Sequence, residues 1–261
     1  MRYKVAREAE PQFTLLLIAT LLSIGLWIAS LFIPFVGLVF YPLQLFATFI
    51  HEGGHALAAV LTGHSVQSLA VNPDGSGAVW SQGSGWFSSL LIASSGYLGT
   101  TAFGAGLLAW MRYGYSSRYA LLACAALIGI LTLVFGIFAP VTNLFSTVTF
   151  GGFIFTIFSG AVLAAALALV ARYAQPKWTN FALAFLAVQT LLNAVFSLVD
   201  LFFITATTTG HSDAANMAAA TGIPAVAWVF IWMILSLVLI SVGLRVYAVN
   251  KNRATDTVFE D

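Results

Sequence analysis

The chain has 261 residues, of which 60% are hydrophobic and only 7% charged, against roughly a quarter charged in a soluble domain. Its 10 Lys+Arg and 9 Asp+Glu cannot cover a water-facing globule of this length, so most of the surface must face lipid. A net charge of +1 with no Lys/Arg stripe excludes a nucleic-acid binder. The single cysteine, Cys124, excludes a disulfide framework or a multi-thiolate metal cluster, so any metal must be held by His and carboxylate.

The reading is one all-α, polytopic integral membrane domain over residues 1–261, with about seven transmembrane helices. Apolar stretches long enough to cross a bilayer fall at 13–33, 36–62, 86–111, 119–139, 150–171, 181–204 and 224–247. The N-terminal Arg2, Lys4 and Arg7 precede an apolar run longer than a signal-peptide core, which predicts an uncleaved anchor. Pro34 and Pro42 interrupt the first long stretch, and Gly63 closes the second span. Arg112 to Arg118 and Arg172 to Lys177 mark two further breaks, and Pro140 with the polar run 142–149 marks another. Trp80, Trp86, Trp110, Tyr113, Tyr173 and Trp178 gather near the breaks, at the depth where such rings anchor in the headgroups.

Two polar insertions depart from this pattern. Residues 65–71 alternate, Asp74-Gly75 supplies a turn, and Ala78-Val79-Trp80 reads as a return strand, which together predict a small β-hairpin. In the second insertion, 205–223, Ser212-Asp213 can cap a short helix over 214–220 that stops at Gly222 and Pro224. Four spans lie between the insertions, so parity puts both on one side of the membrane.

The chemistry concentrates in His51-Glu52-Gly53-Gly54-His55. On a helix, residues four apart share a face, so both imidazoles can grip one Zn²⁺ while Glu52 is free to take a proton from its water. An ionisable residue inside a span is costly and marks function. A catalytic zinc keeps three protein ligands and an open position. Glu52 and Asp200 are the only acidic residues within the expected spans. Asp200 ends a polar stripe through Gln189, Asn193 and Ser197 that should face the bundle interior, which makes it the expected third ligand. Asp213, with His211 beside it, is the rival, because a loop can fold back to the metal; its simpler role is a helix N-cap.

The motif His51-Glu52-Gly53-Gly54-His55-Ala56-Leu57-Ala58 lies inside a span and is followed by a hairpin. The glycine-rich Ser95-Gly96-Tyr97-Leu98-Gly99 comes next, and an intramembrane Asp lies far downstream. These features resemble the site-2 protease class of intramembrane zinc metalloproteases, most closely its bacterial peptidase M50B-like branch, over most of residues 36–247. The resemblance implies His51, His55 and Asp200 as zinc ligands and Glu52 as the residue that activates water. It also implies a transmembrane protein as substrate, hydrolysed within the bilayer. The sequence departs from the class in two places. Asp200 precedes Leu201 where the class has Asp-Gly, and Gly96-Tyr97-Leu98-Gly99-Thr100 stands where the class has Gly-Pro-x-x-Asn.

The hairpin could hold an unwound substrate by strand addition or lie passively on the membrane surface. A transporter or metal-binding scaffold, with Gln189, Asn193 and Asp200 lining a solute path, is the alternative function. Orientation is divided. The basic N-terminus favours an inside start, but after seven crossings Arg112, Arg118, Arg172, Lys177 and Arg245 would then face outside. One span fewer, with the weakest break at Pro140, would reconcile the two.

Overall fold

A computed structural model describes residues 10–82, 85–208, 210 and 212–248. The elements in chain order are α1 (Glu10–Phe32), α2 (Pro34–Leu61), β1 (Ser65–Val71), β2 (Gly77–Gln82), α3 (Trp86–Arg112), α4 (Ser117–Leu131), a π-helical stretch (Thr132–Phe138), α5 (Ala139–Thr142), α6 (Phe150–Tyr173), α7 (Pro176–Thr207), α8 (Asp213–Thr221) and α9 (Ala225–Ala248). The expected helical bundle with one small hairpin is what forms. Among the described residues, six helical stretches are long and apolar enough to cross a membrane, and α1 adds a shorter apolar stretch, Thr14–Leu26.

The fourth and fifth spans separate in the polar run after Pro140, as expected, but Pro140 itself does not interrupt the helix. The stretch Ser117–Thr142 is one continuous apolar span, with Pro140 two residues after its π-helical segment. A proline ring collides with the carbonyl four residues back in a regular α-helix, and the wider π turn just before it relieves that collision. The helix ends at Thr142, and in the polar run beyond it Leu144 and Phe145 take positive φ values of 54° and 56°.

Helices α2 and α3 pack closely. A Cβ at Gly54 would overlap the carbonyl of Ser95, so the two backbones meet where position 54 carries no side chain. In lipid, where burial of apolar surface gives no drive between helices, such close backbone contact is what holds them. A Cβ at Gly160 on α6 would likewise overlap Thr132.

The hairpin does not lie on the surface. It starts where α2 ends and doubles back along that helix, with a 7-residue strand that reaches about 20 Å at ordinary strand rise. At its tip, Asp74 Oδ1 accepts hydrogen bonds from the amide and hydroxyl of Ser76, which hold its carboxyl below the usual range. Gly75 takes φ +85° there. The Tyr41 hydroxyl donates to the carbonyl of Pro73 at 2.6 Å, and Thr48 donates to that of Gly75 at 2.8 Å. On its other side, the amide of Val71 donates to Thr156 Oγ1 at 2.8 Å. Irregular backbone is tolerated inside a bilayer only where protein covers it or water reaches it. Accordingly β1 is buried at its inner end, while β2 is half-exposed and has no strand beyond it among the described residues.

Candidate metal centre

His51 and His55 stand one helical turn apart on α2, and their Nε2 atoms are 3.1 Å apart. Asp213, the first residue of α8, brings Oδ2 to 3.7 Å from His51 Nε2 and 3.3 Å from His55 Nε2. These three side chains are the one group of possible metal donors found among the described residues. The local sequence explains how α8 delivers its carboxylate. Ser212, not Asp213, is the N-cap, its hydroxyl accepting from the amide of Ala215. Asp213 is thereby left free to turn toward the imidazoles. Thr221 near the far end of α8 accepts from Trp228 Nε1 of α9 at 3.0 Å, which ties the helix down.

Electrostatics favours a cation at this point. The Nδ1–H of His55 donates to the carbonyl of Ile92 at 2.6 Å, so its Nε2 faces Asp213 as a second acceptor. Separations of 3.1 to 3.7 Å bracket the edge of about 3.3 Å that tetrahedral ligands span at metal–ligand bonds of about 2.0 Å. The donor set therefore fits a metal ion held by two imidazoles and a carboxylate.

Helix α3 forms one wall. A Cβ at Gly96 would overlap the ring nitrogens of both histidines, so only glycine lets this backbone approach. Tyr97 meets His51 edge-on with ring centroids 4.5 Å apart and stacks on Trp232 at 5.3 Å. Trp232 Nε1 in turn donates to Ser94 at 2.9 Å. Glu52 is buried, and the hairpin covers it: a Cβ at Gly77 would lie 2.6 Å from both Cγ and Oε1 of its side chain. The start of β2 thus abuts the carboxylate.

The structure brings together His51, Glu52, His55 and Asp213, and it leaves Asp200 out of the donor group. Asp200, the expected third ligand, lies outside this group, and its rival Asp213 lies within it. Gln189 donates to Ser23 of α1 at 2.9 Å, and Ser197 bonds Asn193 on its own helix. Asp200 itself is exposed. The stripe thus ties α7 to α1 through Gln189, while Asp200 at its other end lies close enough to Tyr97 to act on it electrostatically. His211 lies outside the described residues. The sequence reading missed the Ile92 carbonyl, Tyr97 and Gly77 as neighbours of the site. Only the glycine-rich run around Gly96 carried a signal for such close approach.

No curated protein and no solved structure matches the chain. The profile of the Peptidase M50B-like family matches residues 17–243, which include every site residue named above. This integral, multi-pass membrane protein therefore belongs to the Peptidase M50B-like family, in the site-2 protease class.

Proposed function

We propose that the protein is an intramembrane zinc metalloprotease that hydrolyses peptide bonds of transmembrane protein substrates. The observation that carries this reading is the convergence of His51, His55 and Asp213 beside the buried carboxylate of Glu52. His51, His55 and Asp213 would hold the zinc. When bound, zinc supplies Lewis acidity at the scissile carbonyl and makes water a stronger acid.

The remaining work belongs to the chain's own side chains. Glu52 takes a proton from the attacking water and passes it to the departing amine. The Ile92 carbonyl and the ring of Tyr97 hold the two imidazoles in place. A substrate helix must unwind before a carbonyl in it can be attacked. Among the described residues no strand pairs with the outer edge of β2, which is open to the extended segment, and Gly77 at the start of that strand sets it next to Glu52.

The test is cleavage of a helical membrane substrate by the purified protein beside Glu52→Gln, with zinc measured in both. The variant should keep its zinc and its fold and lose at least 100-fold in rate, the lower range of general acid–base contributions. Undiminished cleavage by the variant would remove Glu52 from the mechanism, and absence of zinc from the wild type would remove the metalloprotease reading.

A further inference from the structure

The ring of Tyr97 is firmly held, and its hydroxyl is not. The ring is 8% exposed, meets His51 edge-on with centroids 4.5 Å apart, and stacks on Trp232 at 5.3 Å with the planes 19° apart. Trp232 is itself fixed: it is 1% exposed, and its Nε1–H donates to Ser94 on α3 at 2.9 Å. One turn further along α3, Thr101 donates to the Tyr97 carbonyl at 2.9 Å and bonds Ser236 of α9 at 3.1 Å, which fixes the two helices at this level.

None of these contacts uses the phenol oxygen. Among the described residues the Tyr97 hydroxyl makes no hydrogen bond, yet it is not one of the buried polar atoms shut in without a partner, which are Thr205 Oγ1 and the Tyr247 hydroxyl. It therefore opens into space rather than into packed side chains. That space is the metal centre, since Asp213, Glu52 and Asp200 all lie close enough to the phenol to act on it electrostatically. Neighbouring hydroxyls on α3 are already committed: Ser95 donates to the carbonyl of Ile92, and Thr100 to that of Gly96. A tyrosine hydroxyl is a hydrogen-bond donor at neutral pH. Position 97 thus presents a clamped donor with no protein acceptor, beside the carboxylate that activates water.

We propose that Tyr97 is a catalytic residue whose O–H donates a hydrogen bond to the oxygen of the scissile carbonyl and stabilises the negative charge that develops there. This rests on the protease reading. As the oxygen of water bonds to the carbonyl carbon, Glu52 takes one of its protons and the carbonyl π pair moves onto oxygen. The negative charge passes from Glu52 to that oxygen, and the phenol donates to it while keeping its own proton. When the C–N bond breaks, the pair on oxygen re-forms the carbonyl, and the nitrogen leaves with the bonding pair and takes the proton from Glu52. A donor aimed in advance is effective because nothing reorganises as the charge forms. The contacts with His51 and Trp232 supply that aim.

Tyr97→Phe removes the hydroxyl and keeps the ring that His51 and Trp232 touch. With a helical membrane substrate that the wild type cleaves, kcat should fall by about 100-fold or more, the scale on which loss of one such donor acts. KM, zinc content and melting temperature should stay at their wild-type values. A second readout needs no turnover. A peptide phosphinate, whose tetrahedral P–O⁻ copies the charged oxygen, should bind Tyr97→Phe more weakly by a similar factor, while the same peptide with CH₂ in place of the scissile carbonyl should bind both proteins equally. Unchanged kcat, equal weakening for both peptides, or loss of zinc or melting temperature in Tyr97→Phe would overturn the proposal, the last two by making the tyrosine structural. A wild type that neither cleaves nor binds zinc would remove the protease reading and this proposal with it, whereas a wild type that cleaves no faster than Tyr97→Phe removes only the role of the hydroxyl.

Discussion

The Nδ1 of His55 lies 2.6 Å from the backbone carbonyl of Ile92 on the neighbouring helix. A carbonyl can only accept, so this contact fixes where the imidazole proton sits and turns Nε2 toward His51 and Asp213. Partners of this kind set the orientation and basicity of a metal-binding histidine. Because the acceptor is backbone, the contact depends on how closely α2 and α3 approach, and that depends on glycine.

Gly96→Ala should therefore disable the metal centre without unfolding the bundle. The added methyl overlaps both imidazoles, which must swing away from their shared focus. We expect zinc affinity to fall at least 10-fold, the lower range for disturbing a metal site from outside its ligands. Gly106→Ala on the same helix is the control, since nothing lies within 4 Å of its Cβ position. Zinc titrations of the two variants decide it: equal affinities would show that α3 does not set the position of the histidines.

Asp213→Asn and Asp200→Asn separate the two candidate ligands. Loss of the Asp213 charge leaves two neutral imidazoles to face the metal, and affinity should drop at least 10-fold. The Asp200 change should leave zinc binding near the wild-type level, because its carboxylate is not in the donor group. A loss confined to Asp200→Asn would restore the polar stripe of α7 as the metal-binding face. Ser212, whose hydroxyl caps α8, keeps that helix formed in both variants.

The placement of these two aspartates shows what a sequence can reveal about such a site. The histidine pair and Glu52 were legible because a fixed spacing on one helix determines their relative geometry. The hairpin was legible because alternation and Asp74-Gly75 are local signals, and its strands pair from Val71↔Gly77 out to Ser65↔Gln82. The approach of Asp213 to the histidines depends on how a loop returns across the bundle, and no local pattern encodes that path. Periodicity did group Gln189, Asn193, Ser197 and Asp200 on one face, but it could not tell that Gln189 bonds α1. The depth of the hairpin was also hidden, since its polar tip reads as a surface loop until Tyr41, Thr48 and Thr156 are seen to bind its backbone.

That anchoring leads to the last prediction. Thr156 Oγ1 accepts from the Val71 amide at 2.8 Å and donates to the Gly152 carbonyl at 2.7 Å, and both Thr156 and Val71 are buried. Thr156→Val keeps the shape of the side chain and leaves the Val71 amide unpaired away from water. Such an orphaned group costs about 1 to 3 kcal/mol. The loss falls on the inner strand that holds β2 against Glu52, so it should weaken cleavage while leaving His51, His55 and Asp213 able to bind zinc. A lower melting temperature, faster hydrogen exchange at the Val71 amide and unchanged zinc content are expected together. If Thr156→Val keeps full protection at Val71, the threonine is not what holds the hairpin inside the bundle. If it loses zinc, the hairpin supports the metal centre itself rather than only the strand edge offered to substrate.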